Sequence, residues 1–507
     1  MAKLKADADL YLPTGRAPAQ GAIRKRKPRN AMHNNNDTTL GRVLAGECAA
    51  HPDECGLFTL EEGLDAFAAR YQLAEIAERT LDVQYYIWQN DMSGRRLFKA
   101  LLDAANRGVR VRLLLDDNNT SGLDEILQLL DAHPRIEVRL FNPFSFRTLR
   151  MLGYLTDFAR LNRRMHNKSF TVDGQVTIIG GRNVGDAYFG VGDEPLFADL
   201  DVLVAGPVVH DVTADFERYW SSRSVSTLKH VLDGGLTDAD AALCPEPEDD
   251  PAVRRYLDKL ATTTVGERLS GGRLPFIWAK VKLLSDDPRK GQGDVPRKTL
   301  LAERLNKVMG SPERQIDIIS AYFVPGRAGV AQILQMVRRG VKVAILTNSL
   351  AANDVAVVHS GYARWRKKLL RHGVELYELK PVQHPRPGLH DRGLTGNSGS
   401  SLHAKTFSVD GEKVFIGSFN FDQRSAMLNT EMGLVIDSQP LAQRIHRRFL
   451  LSQRQAAWQL RLTQSGKIQW LDVEDGHERV LDKEPEARWW QRALVLMAYL
   501  LPVEWLL

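Results

Sequence analysis

An eighteen-residue segment that occurs twice constrains this chain more than any other feature. HNKSFTVDGQVTIIGGRN runs from His166 to Asn183, and HAKTFSVDGEKVFIGSFN from His403 to Asn420, with nine positions identical. The flanking pattern repeats as well. LDVQYYIW, RLFKALLDAANRG and VRVRLLLDD read as strand, helix and strand, and IDIISAYFVPG with AQILQMVRRGVKVAILTNS reads the same way. Arg107-Gly108-Val109 and Arg339-Gly340-Val341 are offset by 232 positions (339 − 107). A repeat of this length implies two similar domains, and strands alternating with helices imply a largely parallel, sandwiched sheet. The expected fold class is α/β: two tandem α-β-α sandwich domains with pseudo-two-fold symmetry and the active site in the cleft between them.

The chain divides accordingly. Residues 1–44 read as a disordered basic tail carrying Arg24-Lys25-Arg26-Lys27, and 45–230 as the first domain. Residues 231–275, rich in Pro, Gly and acids, read as a connector, 276–472 as the second domain and 473–507 as a C-terminal membrane-interfacial segment. In that last segment Trp489, Trp490 and Trp505 flank the apolar run Ala493–Leu501, with Arg488 and Arg492 beside it. Tryptophans around a short apolar run suit the bilayer interface. No run of about 18 apolar residues is long enough to span a bilayer, and the opening residues lack the apolar centre of a signal peptide. The 68 Lys and Arg against 62 Asp and Glu leave +6, which favours an anionic partner without choosing between lipid and nucleic acid. Cys48, Cys55 and Cys244 form no metal-ligand pattern, and a Cys48–Cys55 bridge stays open.

The repeated residues suit transfer at a phosphodiester. His166 and Lys168 are two apart, as are His403 and Lys405, so on a strand each pair shares a face. A neutral imidazole can attack phosphorus to give a phosphohistidine, which divides one hard displacement into two. A second imidazole opposite it can protonate the leaving alkoxide and then activate the incoming acceptor. Two lysines can stabilise charge on the non-bridging oxygens, a task that often falls to metal ions. Asn183 and Asn420 offer further donors, and a carboxylate on each imidazole's far nitrogen would fix its tautomer. Each motif is half a site. No metal or other cofactor is expected, and turnover is expected to survive excess chelator.

These paired His-x-Lys-x4-Asp segments, each closed by Gly-x-x-Asn, resemble the HKD motifs of the phospholipase D superfamily. LDVQYYIWQND, GVRVRLLLDDNNT, LNRRMHNKSFTVDGQ, SAYFVPG and GSFNFDQRSAMLNTEMG are most similar to bacterial cardiolipin synthases, particularly the C type, over roughly 45–507. The resemblance implies a phosphatidyltransferase with His166, Lys168, Asp173, His403, Lys405 and Asp410 as its motif residues, the two aspartates being the more structural. It implies substrate contacts from Asn183, Ser418 and Asn420, and histidine-orienting carboxylates at Asp199 and Glu431, which are again offset by 232 (431 − 199). His166 is the implied nucleophile and His403 the acid and base. The implied partners are phospholipids (phosphatidylglycerol, with phosphatidylethanolamine a further candidate) and a membrane surface, at the inner membrane by peripheral attachment. The rivals are a phospholipase or nuclease using the same site, and a non-catalytic lipid-binding protein.

Other segments carry weaker signals. In 146–166, Tyr154, Phe158 and Leu161 fit a helix packed on the core, and Arg163 and Arg164 are candidate headgroup contacts or surface salt bridges. Arg366, Lys367, Lys368 and Arg371 read as a solvated helix face, and His359 beside them has no ligand spacing.

Overall fold

Each half of the chain lays down its strands in the same order. After helix α1 (Thr39–Ala50), the first half carries β1 (Cys55–Leu60), α2 (Gly63–Ile76), β2 (Thr80–Tyr85), α3 (Met92–Asn106), β3 (Arg110–Asp116), α4 (Asp124–Ala132) and β4 (Ile136–Phe141). It continues with α5 (Arg150–Thr156), α6 (Phe158–Leu161), β5 (Ser169–Val172), β6 (Val176–Gly180), α7 (Asp186–Phe189), β7 (Asp201–Ala205), α8 (Val208–Trp220) and β8 (Val225–Thr227). Two helices follow, α9 (Pro251–Thr262) and α10 (Val265–Ser270). The second half comprises β9 (Ile277–Ser285), α11 (Leu301–Met309), β10 (Gln315–Ser320), α12 (Gly326–Arg338), β11 (Lys342–Asn348), α13 (Ala356–Arg371) and β12 (Glu375–Leu379). After these come β13 (Lys405–Val409), β14 (Lys413–Gly417), α14 (Gln423–Met427), β15 (Met432–Asp437), α15 (Gln439–Gln455), β16 (Ala457–Leu462), β17 (Ile468–Glu474), β18 (His477–Leu481) and α16 (Trp489–Leu500). This computed structural model describes residues 37–145, 147, 150–191, 198–232, 251–353, 356–381, 402–474 and 477–500, all within the unit Asn35–Leu507.

Strand pairing makes the repeat explicit. The first half is ordered β4–β3–β2–β5–β6–β7–β1 and the second β12–β11–β10–β13–β14–β15–β9. The three strands β2, β3 and β4 are parallel, as are β10, β11 and β12, and the others run antiparallel. Strand β9 pairs with β1 through Ile277–Ala279 and with β15 through Lys280–Ser285, so one ladder passes between the halves. Alternate residues of a central strand serve two cores. Leu203 and Ala205 of β7 pack with α2 and α3, whereas Val202 and Val204 join Val414, Ile416 and Leu434 of the other half. That explains why VLVA (202–205) is apolar without alternation: both faces are covered.

Two turns explain parts of the repeated sequence that have nothing to do with chemistry. Gly108 (φ 105) and Gly340 (φ 87) terminate α3 and α12 in a conformation that side chains disfavour. Asp173-Gly174 (φ 53, 63) and Asp410-Gly411 (φ 55, 67) are two-residue hairpin turns with both residues left-handed, the geometry for which Asp-Gly is suited.

Several boundaries differ from expectation. Helix α1 begins inside the stretch assigned to the tail, with Thr38 capping it through Gly41 N and Leu40 and Leu44 buried. Arg24–Lys27, Cys244 and Trp505 lie outside the described residues. The connector's second half is structured against the first domain: Val265 and Leu269 are buried with α2, and Gln72 Oε1 accepts from Gly266 N. Residues beyond 472 are partly sheet, because β18 pairs with β17. The supposed solvated arginine Arg366 is buried, paired with Glu378 and Glu484 between Tyr362 and Trp470. Conversely, Phe158 points outward, 46% exposed, while Leu161 is buried as expected. Cys48 and Cys55 are free thiols.

Candidate active site

The histidines sit where the two halves exchange short ladders at the C-terminal ends of the parallel strands, the edge at which open α/β sheets bind ligands. Met165 bridges to Thr430, and His166 N donates to Thr430 O at 2.9 Å. Ala198 bridges to Leu402, and His403 N donates to Ala198 O at 2.9 Å. These crossings swap the carboxylates. His166 Nδ1 meets Glu431 Oε2 of the second half at 2.8 Å, and His403 Nδ1 meets Asp199 Oδ2 of the first half at 2.6 Å. Lys168 Nζ donates to His166 O at 2.7 Å. Lys405 Nζ lies 3.0 Å from His403 Nδ1 and donates to His403 O. Tyr86 packs edge-on to His166 and Tyr188 edge-on to His403, with centroids 4.9 and 5.2 Å away.

The electrostatics favour neutral imidazoles. Burial, then the Lys168 and Lys405 ammoniums, holds His166 well below its ordinary range. Burial and Lys405 bring His403 down to about 3. Burial and the neighbouring Lys405 also depress Lys168. The two carboxyls diverge. Asp199 is pulled far below the carboxylate range despite its burial, chiefly by His403 and then by Lys405 and Arg182. Glu431 is pushed up to about 7 by burial, and its Oε1 has no partner among the described residues. Neighbouring carboxyls with separated pKa values are suited to different tasks.

As a carboxylate Glu431 accepts Nδ1–H and leaves the His166 Nε2 without a proton; once protonated it donates to Nδ1 and the ring proton moves to Nε2. Activity is expected to rise with pH through about 7 and to fall below it. In Glu431→Gln this limb is expected to vanish from kcat/KM along with most of the activity; a profile unchanged in the variant would contradict the assignment.

Other expected site residues separate into two groups. Asp173 and Asp410 do not reach the histidines, because five residues of extended strand put them about 16 Å from Lys168 and Lys405. Asp173 accepts from Glu78 N, Arg79 N and Thr80 N, and Asp410 from Glu313 N, Arg314 N and Gln315 N. Both hold a hairpin turn to the start of a parallel strand. Their placement in the catalytic set is corrected on that geometry. Asp173→Ala is expected to cost about 2–4 kcal/mol by orphaning three donors, seen as a lowered Tm, with kcat of the folded fraction near wild type. Asp410, more exposed, should cost less.

Ser418 and Asn183 are also engaged within the protein rather than presented to a substrate. Ser418 Oγ donates to Glu431 Oε2. Gly181 stands at the corresponding place in the first motif, where a Cβ would come within 2.3 Å of Asp199 Oδ1. Asn183 Oδ1 accepts from Ile87 N, and its Nδ2 donates to the hydroxyl of Tyr188, the residue against His403. Asn420, by contrast, is buried with an Oδ1 that has no partner among the described residues. Arg164 is no headgroup contact: it is buried, donating to Asn142 O and Leu161 O beside Asp116. Asp116 was missed. It accepts from Met165 N at 2.7 Å and so anchors the strand entering the first motif. The signal was a carboxylate ending the apolar strand RLLLD. Asp286, which accepts from Glu431 N, and Arg182, which donates to Asp199 O, carried no comparable signal.

Comparison with known proteins shows the family. A family model described as "Cardiolipin synthase, PLD-like domain" matches residues 72–220 and 305–451. Cardiolipin synthase C of Escherichia coli K12 is 67% identical over 92% of this chain and 99% of its own length. Cardiolipin synthase A of Pseudomonas syringae is 29% identical over 75% of this chain and 64% of its own. In fold, a phosphatidylserine synthase from Haemophilus influenzae superposes with a TM-score of 0.58 at 13% identity, covering 93% of this chain and 100% of that one. The chain belongs to the cardiolipin synthase family of phospholipase D-like proteins.

Proposed function

We propose that this phosphatidyltransferase moves a phosphatidyl group from a phospholipid donor to phosphatidylglycerol through a phosphatidyl-His166 intermediate, forming cardiolipin. The observation that carries the reading is the crossed pair of contacts, His166 to Glu431 and His403 to Asp199. Attack by Nε2 of His166 forms the N–P bond while the headgroup P–O bond breaks, and His403 gives its proton to the departing alkoxide. His403 takes that proton when the phosphodiester anion offsets the Lys405 and Lys168 charges that, after burial, depress it, and Asp199 stays anionic behind the imidazolium. In the second step His403 takes the acceptor's hydroxyl proton, the new P–O bond forms and His166 is released. In this reading Lys168, Lys405 and the Asn420 amide hold the non-bridging oxygens.

The substrate resides in a bilayer, so the rim of the site must meet one. Trp489, Leu496 and Met497 of α16 are 80, 67 and 57% exposed, and Gln491 of the same helix donates to Leu350 O just beyond β11. Leu155 of α5, which follows β4, is 82% exposed. Both elements adjoin the ends of parallel strands that carry the site. Peripheral attachment at the inner membrane through these residues completes the proposal; no described helix is long and apolar enough to cross a membrane.

Lipid profiles of cells expressing the wild-type protein and His166→Ala provide the test. New cardiolipin with the wild type alone is expected. Phosphatidic acid without cardiolipin would mean that water is the acceptor, and cleaved nucleic acid with unchanged lipids would overturn the reading. In purified form, transfer is expected to continue in excess chelator, since lysines supply the cationic charge.

A further inference from the structure

Asp199 has a second environment. With its carboxylate wholly buried, the residue borders a cavity of about 250 Å3 between α15 and the sheet of the second half. Ile319, Leu346, Leu402, Leu441, Ile445 and Phe449 form an apolar wall. The rim joins the two halves: Arg444 and Arg448 of α15 pair with Glu61, and Arg448 also reaches Glu62. Two buried lining residues, Thr406 and Arg182, each keep a polar atom, Oγ1 and Nε, with no partner among the described residues.

The architecture does not require this space. The corresponding position in the first half, where α8 follows β7 as α15 follows β15, is filled by Phe141, Phe216 and Tyr219, all fully buried. The hydroxyl of Tyr219 donates to Asp286 O, and Asp286 in turn holds Glu431 N. The two histidines therefore have unlike backing: packed aromatics beside Glu431, and an open apolar cavity beside Asp199.

We propose that the cavity binds one aliphatic chain of an anionic amphiphile, with its charged end at the Arg444 and Arg448 rim. A wall of five aliphatic side chains and one phenyl ring suits methylene groups. The two rim guanidiniums are about half exposed, so they can turn from Glu61 to an incoming anion. A chain seated there packs beside the Ala198–Leu200 backbone that carries the Asp199 carboxylate to His403. Filling the cavity fixes that contact, so chain binding speeds the proton transfers of His403; this consequence rests on the role given to His403 above. The rim also connects to the backbone that carries the carboxylate, because Arg182 Nη2 donates to the main-chain carbonyls of both Glu61 and Asp199. A bilayer lipid and a free fatty acid share this chemistry, and either can be the source.

The test uses the full-length protein and a short-chain phospholipid donor below its micelle concentration, with sodium decanoate as the probe. Calorimetry is expected to show saturable, one-to-one decanoate binding to the wild type, and kcat to rise severalfold over the same range. Ile445→Trp, which fills the cavity, is expected to keep the basal rate and lose both effects. Leu441→Phe is a second filling variant should the first fold poorly. Activation by vesicles of a non-hydrolysable dialkyl phosphatidate, with decanoate bound but inactive, would identify the bilayer as the source. No saturable binding to the wild type, or equal binding and activation in both filling variants, would overturn the proposal. Binding is read without turnover, so a failure of the transfer reading would appear separately, as absent basal activity.

Discussion

His403→Ala, given a phosphatidyl donor with a nitrophenol leaving group, is expected to release one equivalent of nitrophenolate per enzyme and then stop. Nitrophenolate needs no proton to leave, so the first displacement requires only the His166 lone pair and the lysines. The second requires a base for the acceptor alcohol, and without His403 the phosphatidyl group stays on His166. His166→Ala, lacking the nucleophile, is expected to release none. With an ordinary headgroup both variants lose about 10^4 or more in turnover, since a nucleophile and a general acid that act as a unit each remove nearly the whole effect. A burst from His166→Ala, or continued turnover by His403→Ala, would exchange or abolish the assigned roles.

The crossing of the carboxylates makes a second, less intuitive prediction. Asp199 lies in the same half as His166, yet its Oδ2 contacts His403. Asp199→Asn is therefore expected to reproduce His403→Ala: a nitrophenolate burst of full amplitude, followed by a loss of about 10^4 in steady turnover. A carboxamide donates to Nδ1 and leaves the proton on Nε2, where a base is needed; the same exchange in the serine triad costs about that factor. Burst and turnover lost together would mean that Asp199 serves His166 or the fold.

How much of this the sequence disclosed depends on whether the repeat marked it. His166, Lys168, His403 and Lys405 recur at one spacing, and the 232-residue offset located Asp199 from Glu431. The same repetition marked Asp173 and Asp410 as well, because a backbone turn conserves its Asp-Gly between two copies as strictly as chemistry conserves a histidine. Ser418 and Asn183 show a related limit: a hydroxyl or amide beside the site can serve substrate or protein, and only contacts with Glu431 and Tyr188 decide. Tyr86, Tyr188 and Arg182 were out of reach because edge-on packing and buried guanidinium contacts leave no periodic trace. The long α9–α10 stretch read as connector because its Pro, Gly and acids precede the amphipathic turns that bury Val265 and Leu269.

Locating the covalent bond would decide most directly whether the two imidazoles face one phosphorus atom in the stated roles. Wild-type protein turning over an acyl-labelled donor, quenched at alkaline pH and mapped by mass spectrometry, should carry the phosphatidyl group on His166 alone. The adduct should disappear when acceptor alcohol is added before the quench. A label on His403, or steady turnover without any adduct where His403→Ala accumulates one, would contradict the mechanism.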